Sequence, residues 1–198
     1  MLRYLSIFLF SIVLSQTEIE ETPPQLNPDH ISLTIHESLI NSFFQNMGEI
    51  RGEGTSSVMD YTWFLLEPRV EIEDDQAHFF AKVRAKTKNF RVTRDVVGTM
   101  GITFDQEQNV LDVKVDKADV ILDIDILGKN VVLGKLDVAK HFSKSLKLNG
   151  PQSIEDEVEF KLPDGSIRIM DVEVVSYNLK LLKDKIVVST SLGFKIKQ

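Results

Sequence analysis

The chain predicts an α+β, mainly β protein: a long, highly curved antiparallel sheet wrapped around one main helix, with a short second helix. Three observations carry this. Apolar and polar residues alternate with a period of two over most of the sequence after residue 57, in long runs joined by short turn signals. Only two segments show helical spacing. There is no Cys, so the 42% of hydrophobic residues must hold the fold as a core without disulfides. Long alternating strands in hairpin order with few helices indicate antiparallel pairing.

The first fifteen residues stand apart. Arg3 gives a charged start, Leu5–Leu14 (LSIFLFSIVL) is an apolar run broken only by Ser6 and Ser11, and Val13-Leu14-Ser15 offers a cleavage site. This is the layout of a secretory signal peptide. A spanning helix needs about twenty apolar residues, so a cleaved signal is favoured over a retained anchor. Residues 16–29 (QTEIEETPPQLNPD) hold three of the six prolines and several acids, a flexible leader. Residues 30–198 then form a single domain.

Within it, Ile31, Leu33 and Ile35 alternate as a short strand. Thr34 and Glu37 match a capping box, and Leu39, Ile40, Phe43, Phe44 and Met47 mark one face of a helix that Gly48 ends. Three glycines in 48–57 read as a loop. Strands are predicted over 58–67, interrupted by Pro68, then 69–73, 77–87, 96–104 and 110–127. In the last of these the parity changes near Lys117-Ala118, which requires a bulge or a switch of face. Gly128-Lys129-Asn130 is a hairpin turn, and 131–133 is extended. Val138, Ala139, Phe142 and Leu146 predict the second helix over 137–146. Strands follow over 157–162, 166–170, 172–182 and 186–196, the last two joined by Lys183-Asp184-Lys185.

Several function classes are excluded. The sequence has no nucleophile elbow, no phosphate-cradling glycine loop and no His-Glu-x-x-His helix, so no enzyme is predicted. His30, His36, His78 and His141 are scattered without metal-ligand spacing. Asp119, Asp123 and Asp125 lack the glycine turn of a calcium loop and read as a solvated strand face. No metal and no cofactor is expected. A formal charge of −7 opposes nucleic-acid binding.

One segment inverts this acidity. Lys82, Arg84, Lys86, Lys88, Arg91 and Arg94 fall close together, and the first three share a strand face over about 14 Å. They are expected to meet an anionic headgroup or make transient contact with an anionic membrane surface. The aromatic set Phe43, Phe44, Tyr61, Trp63, Phe64, Phe79 and Phe80 is mostly core. Yet Phe64 and Phe80 lie on the opposite parity to Trp63 and Phe79, so both faces of those strands carry large apolar groups, and one needs a second layer, a partner or a ligand.

The order of elements resembles the small bacterial, periplasmic members of the tubular lipid-binding superfamily, relatives of the bactericidal/permeability-increasing proteins. The resemblance rests on Leu33-Thr34-Ile35-His36-Glu37-Ser38-Leu39-Ile40-Asn41, on Glu67-Pro68-Arg69-Val70-Glu71-Ile72 with the strand Phe79–Lys86, and on the terminal hairpin Tyr177–Ile196. It covers most of the chain beyond the signal, through short motifs, and departs from the family in its basic strand and its lack of a lipidation Cys. It implies an apolar groove between curved sheet and helix, with Leu39, Ile40, Phe43, Phe44, Trp63, Leu65, Phe79 and Val83 as lining, holding a lipid or acyl chain by sequestration or transfer without chemistry. The protein would be exported, periplasmic or extracellular, and soluble. The alternative is a non-enzymatic secreted or envelope domain with a filled β-sandwich core that binds a protein partner.

Overall fold

The computed structural model describes residues 29–57, 59–142, 144–152 and 157–197. The signal peptide and nearly all of the leader therefore lie outside the described residues. The elements run β1 (Ile31–His36), α1 (Glu37–Asn46), β2 (Ile50–Thr55), β3 (Asp60–Glu73), β4 (Gln76–Lys86), β5 (Arg91–Asp105), β6 (Val110–Ile126), β7 (Lys129–Asp137), a single 3-10 turn (Ala139–His141), β8 (Leu146–Asn149), β9 (Glu157–Lys161), β10 (Ile167–Leu182) and β11 (Lys185–Ile196). The protein is mainly β. One sheet has the order β1-β11-β10-β9, and a seven-stranded sheet has the order β2-β3-β4-β5-β6-β7, with β8 beside β6. All pairings are antiparallel, and both sheets are curled into half-barrels.

Alternation places the core. Ala77, Phe79, Ala81, Val83 and Ala85 of β4 are all buried, and each neighbour between them faces the other way. Two bulges reset the parity elsewhere. Glu67, at a positive φ of 51°, and Pro68 oppose a single residue of β4, so buried Trp63 and Leu65 give way to buried Val70 and Ile72. On β6 the register with β5 slips at Asp116, and buried positions change from Leu111, Val113 and Val115 to Ala118, Val120, Leu122 and Ile124. This is the parity change the sequence predicts.

Three expectations are corrected. Residues 50–55 are a strand, not a loop. Gly52 and Gly54 lie under the rings of Trp63 and Tyr61, where a Cβ would come within 2.6 Å and 2.3 Å of ring carbons. Tyr61 also reaches Gly134 of β7, so its ring closes the seam between the two ends of the curled sheet. The second helix is only one turn, because the Val138 N–H still bonds Ala118 O at 2.7 Å and holds the chain to β6. Finally, Thr34 is a strand residue paired with Val187, so there is no capping box. The start of α1 has no side-chain cap; instead the Glu37 N–H donates to Asp184 O at 2.9 Å.

Glu37 has another role. β2 pairs with β3 only as far as Leu65, and among the described residues no strand pairs with the second half of β3 on that side. There α1 supplies the partners. Asn41 Oδ1 accepts from Val70 N–H at 2.7 Å while its Nδ2 donates to Val70 O at 3.0 Å. Glu37 accepts from Ile72 N–H at 2.8 Å and from Asn41 Nδ2 at 3.2 Å. The β10–β11 turn completes the edge through Asp184 N–H to Ile72 O, 3.0 Å. Two side chains one helical turn apart thus satisfy backbone groups that would otherwise be open.

Candidate functional site

The apolar stripe of α1 is wider than the core requires. Ile40 and Phe44 point inward, where the rings of Phe44, Phe79 and Phe142 meet in mutual contact at centroid distances of 5.2–5.7 Å. Leu39, Phe43 and Met47, spaced by four, occupy the neighbouring face, and Leu39 remains 52% exposed. Beside this face run β1 and β8. Between them lies a hollow of about 570 Å3 lined by Leu33, Ile35, Leu39 and Leu148 with His36 and Asn149. A second, of about 380 Å3, is lined by Leu39, Phe43, Met47, Leu146 and Leu148. They share Leu39, Ser42 and Leu148, and so form one open groove between helix, first sheet and second sheet. Among the described residues no Asp, Glu, Lys or Arg lines it.

The eight residues assigned to a groove are therefore divided. Leu39 and Phe43 line this one. Ile40, Phe44, Trp63, Leu65, Phe79 and Val83 are closed into the core, each at most 6% exposed. Leu33, Ile35, Met47, Leu146 and Leu148 complete the groove. The alternation of Leu146 and Leu148 about Lys147 was a usable signal, masked by the predicted helix.

The basic segment is divided too. Arg94 shares a face with Val96 and opposes buried Val83, away from the rest of the patch. Its Nε donates to Asp123 Oδ1 at 2.7 Å, and this bond raises its pKa and holds the Asp123 carboxyl below the usual range. Lys82 is bonded to Glu67 at 2.6 Å, which lowers the carboxyl and raises the ammonium pKa. Arg84, Lys86 and Arg91 remain on the outer face, with Lys88 in the turn beyond, and none of the four is in a salt bridge among the described residues. Arg51, on β2, joins them across Phe64. An open hollow of about 960 Å3 lies here, and its lining holds the bases Arg51, Lys86 and Lys88, the acids Glu53 and Asp60, and the ring of Phe64. Phe80, also outward, is covered by the chain itself, with the Arg69 guanidinium 4.6 Å from its ring centroid.

The strand acids have partners of their own. Asp119 pairs with Lys135, Asp123 with Arg94, and Asp125 accepts the Gly128 N–H. Among the described residues no group of three or more His, Cys, Asp or Glu side chains is placed to hold a metal ion, and no helix is long and apolar enough to cross a membrane. Neither a family model, nor a curated protein, nor a solved structure matches this chain.

Proposed function

We propose that this protein binds a lipid acyl chain, or a similarly elongated apolar ligand, in the groove between α1, β1 and β8. The groove itself carries the reading. A mainly apolar groove, free of charged groups among the described residues and with uncharged polar side chains such as Ser42 and Asn149 in its lining, suits a hydrocarbon tail with a polar end. Burial at about 25 cal/mol per Å2 of apolar surface drives the tail out of water with no chemistry required. The resemblance to tubular lipid-binding proteins supports the same reading, with the curved sheet wrapped around α1 and the ligand sequestered or transferred in an aqueous compartment after export. The outward cations Arg51, Arg84, Lys86, Lys88 and Arg91 would meet an anionic headgroup or membrane surface. A second reading, a protein-interaction domain, draws on the filled Phe44–Phe79–Phe142 core.

Native mass spectrometry after gentle purification, with titration of a fluorescent fatty acid, tests the first reading. Acyl-bearing species and saturable binding are expected, with binding weakened at least tenfold by Leu39→Glu or Leu148→Glu. A chain that retains no such species and binds no fatty acid, or whose binding ignores both substitutions, refutes it.

A further inference from the structure

The two hollows of the groove lie in line along α1. Ser38 and Leu39 border the first, Phe43, Asn46 and Met47 the second, and Leu39 and Ser42 belong to both. β8 runs the other way beside them, from Leu146 at the second hollow to Asn149 at the first, and its Leu148 borders both. The path is therefore continuous and single. From Ser38 to Met47 it follows about 14 Å of helix axis, at about 1.5 Å per residue. A bilayer core about 30 Å thick holds two tails end to end, so one tail spans about 15 Å. The groove has the length of one such tail.

Its two ends differ in chemistry. Thr34, His36, Ser38 and Asn149 gather at the first, and among the described residues none of their side chains has a hydrogen-bond partner. Hydroxyl, amide and imidazole groups both donate and accept. The second end is walled by Phe43, Met47 and Leu146, and the Asn46 amide there is spent on its own helix, donating to Ser42 O at 2.7 Å.

Resting on the acyl-chain reading above, we propose that the groove takes a single-chain amphiphile with a small oxygen-bearing head, a free fatty acid or a monoacylglycerol. The head lies at the corner of Thr34, Ser38 and Asn149, and the tail ends against Met47. The chemistry of the two ends sets this direction. Reversed, the head would press on Phe43, Met47 and Leu146, while the tail would strip water from four polar side chains and give them no partner. A diacyl phospholipid fits badly on two counts. Its second tail finds no second path and stays in water, and its phosphate finds no opposite charge in the lining.

Displacement of a bound fluorescent fatty acid from the whole chain tests this. The competitors are saturated fatty acids of increasing length, a monoacylglycerol, and a diacyl phosphatidylcholine matched in total tail carbons, each below its micelle concentration. Affinity should rise by up to about fourfold per methylene and level off once the tail fills the groove. The diacyl lipid should bind at least tenfold more weakly than the matched single chain. Met47→Trp blocks the tail end and should cost the longest chains about tenfold, the worth of two methylenes, while leaving short ones unchanged. Asn149→Ala removes a head contact and should cost about threefold to tenfold at every length. On the wild-type protein, which needs no variant to fold, a spin label near the carboxyl should broaden the amide signals of Ser38 and Asn149, and one on the terminal carbon the Met47 methyl signal. Equal binding of the diacyl lipid, or labels that broaden the opposite ends, overturns this proposal and leaves the acyl-chain reading standing. Displacement by no single-chain probe overturns both.

Discussion

Replacing Asn41 with Ala disconnects α1 from the open half of β3. Three hydrogen bonds are lost, two to Val70 at 2.7 and 3.0 Å and one to Glu37 at 3.2 Å, and the Val70 N–H and C=O are left partly buried beneath the helix without partners. Each bond is worth about 1 kcal/mol net, and an unsatisfied buried group costs about 1–3 kcal/mol. Water reaches part of this region, so the expected loss is about 2–4 kcal/mol of stability, near the middle of those limits. Asn41→Asp keeps the acceptor for Val70 but loses the donor and sets a carboxylate against Glu37, so at neutral pH it should cost at least as much. Equilibrium urea unfolding is the assay, and the midpoint should fall while the slope stays constant. Glu37 and Asn41 share one network, so a double-mutant cycle with Glu37→Ala should show coupling of about 0.5–3 kcal/mol. A loss below about 0.5 kcal/mol for Asn41→Ala, the level of an ordinary surface substitution, would show that the helix does not hold this edge.

Other expectations follow from the same packing. Phe142→Ala removes one ring of the three-phenylalanine contact and should destabilise by about 3–5 kcal/mol in urea unfolding. Gly54→Ala drives a methyl group against Tyr61 and should cost about 1–3 kcal/mol, partly recovered when Tyr61→Ser is added, as read by thermal denaturation. Asp123 is held below its ordinary pKa by Arg94, so the unfolded chain takes up the proton first as pH falls. Its contribution is present above about pH 4 and fades as acid takes the carboxyl through its lower folded pKa. The stability gap between wild type and Asp123→Asn should therefore shrink in acid, and a gap that widens there would contradict the pairing. On anionic vesicles, Arg84→Glu with Lys86→Glu and Lys88→Glu should weaken co-sedimentation strongly, whereas removing the neutral Lys82–Glu67 pair whole, with Lys82→Gln and Glu67→Gln together, should change it little.

Much of the architecture was legible because alternation is a local property of the chain. β4, β6 and the β10–β11 hairpin each show it, and the bulge at Asp116 announced itself as a broken parity. What could not be read depended on distant partners. Gly52 and Gly54 carry no strand signal of their own; they form β2 because Trp63 and Tyr61 need the space above them. Glu37 resembled a capping residue, yet its acceptor role is used by Ile72, brought there by the fold. The groove suffered most from this. The stripe Leu39, Ile40, Phe43, Phe44 is continuous in sequence, and only packing decides which pair enters the core and which faces the hollow. Arg94 belonged to the basic run by position alone, and its side of β5 set it against Asp123.

The pairing of β1 with β11 has a kinetic consequence. Ile31 meets Thr190, and His36 meets Lys185, so the first strand waits for the last. Until the terminal hairpin is available, β1 is an exposed edge and the β10–β11 turn cannot complete the edge of β3. Closure over so long a loop is entropically slow and places folding toward the slow end of the range for single domains. The transition state should therefore contain little of β1, and substitutions there should speed unfolding more than they slow folding. Any truncation that removes Ile186–Ile196 should leave a chain that stays open and aggregates through β1 rather than a smaller folded protein.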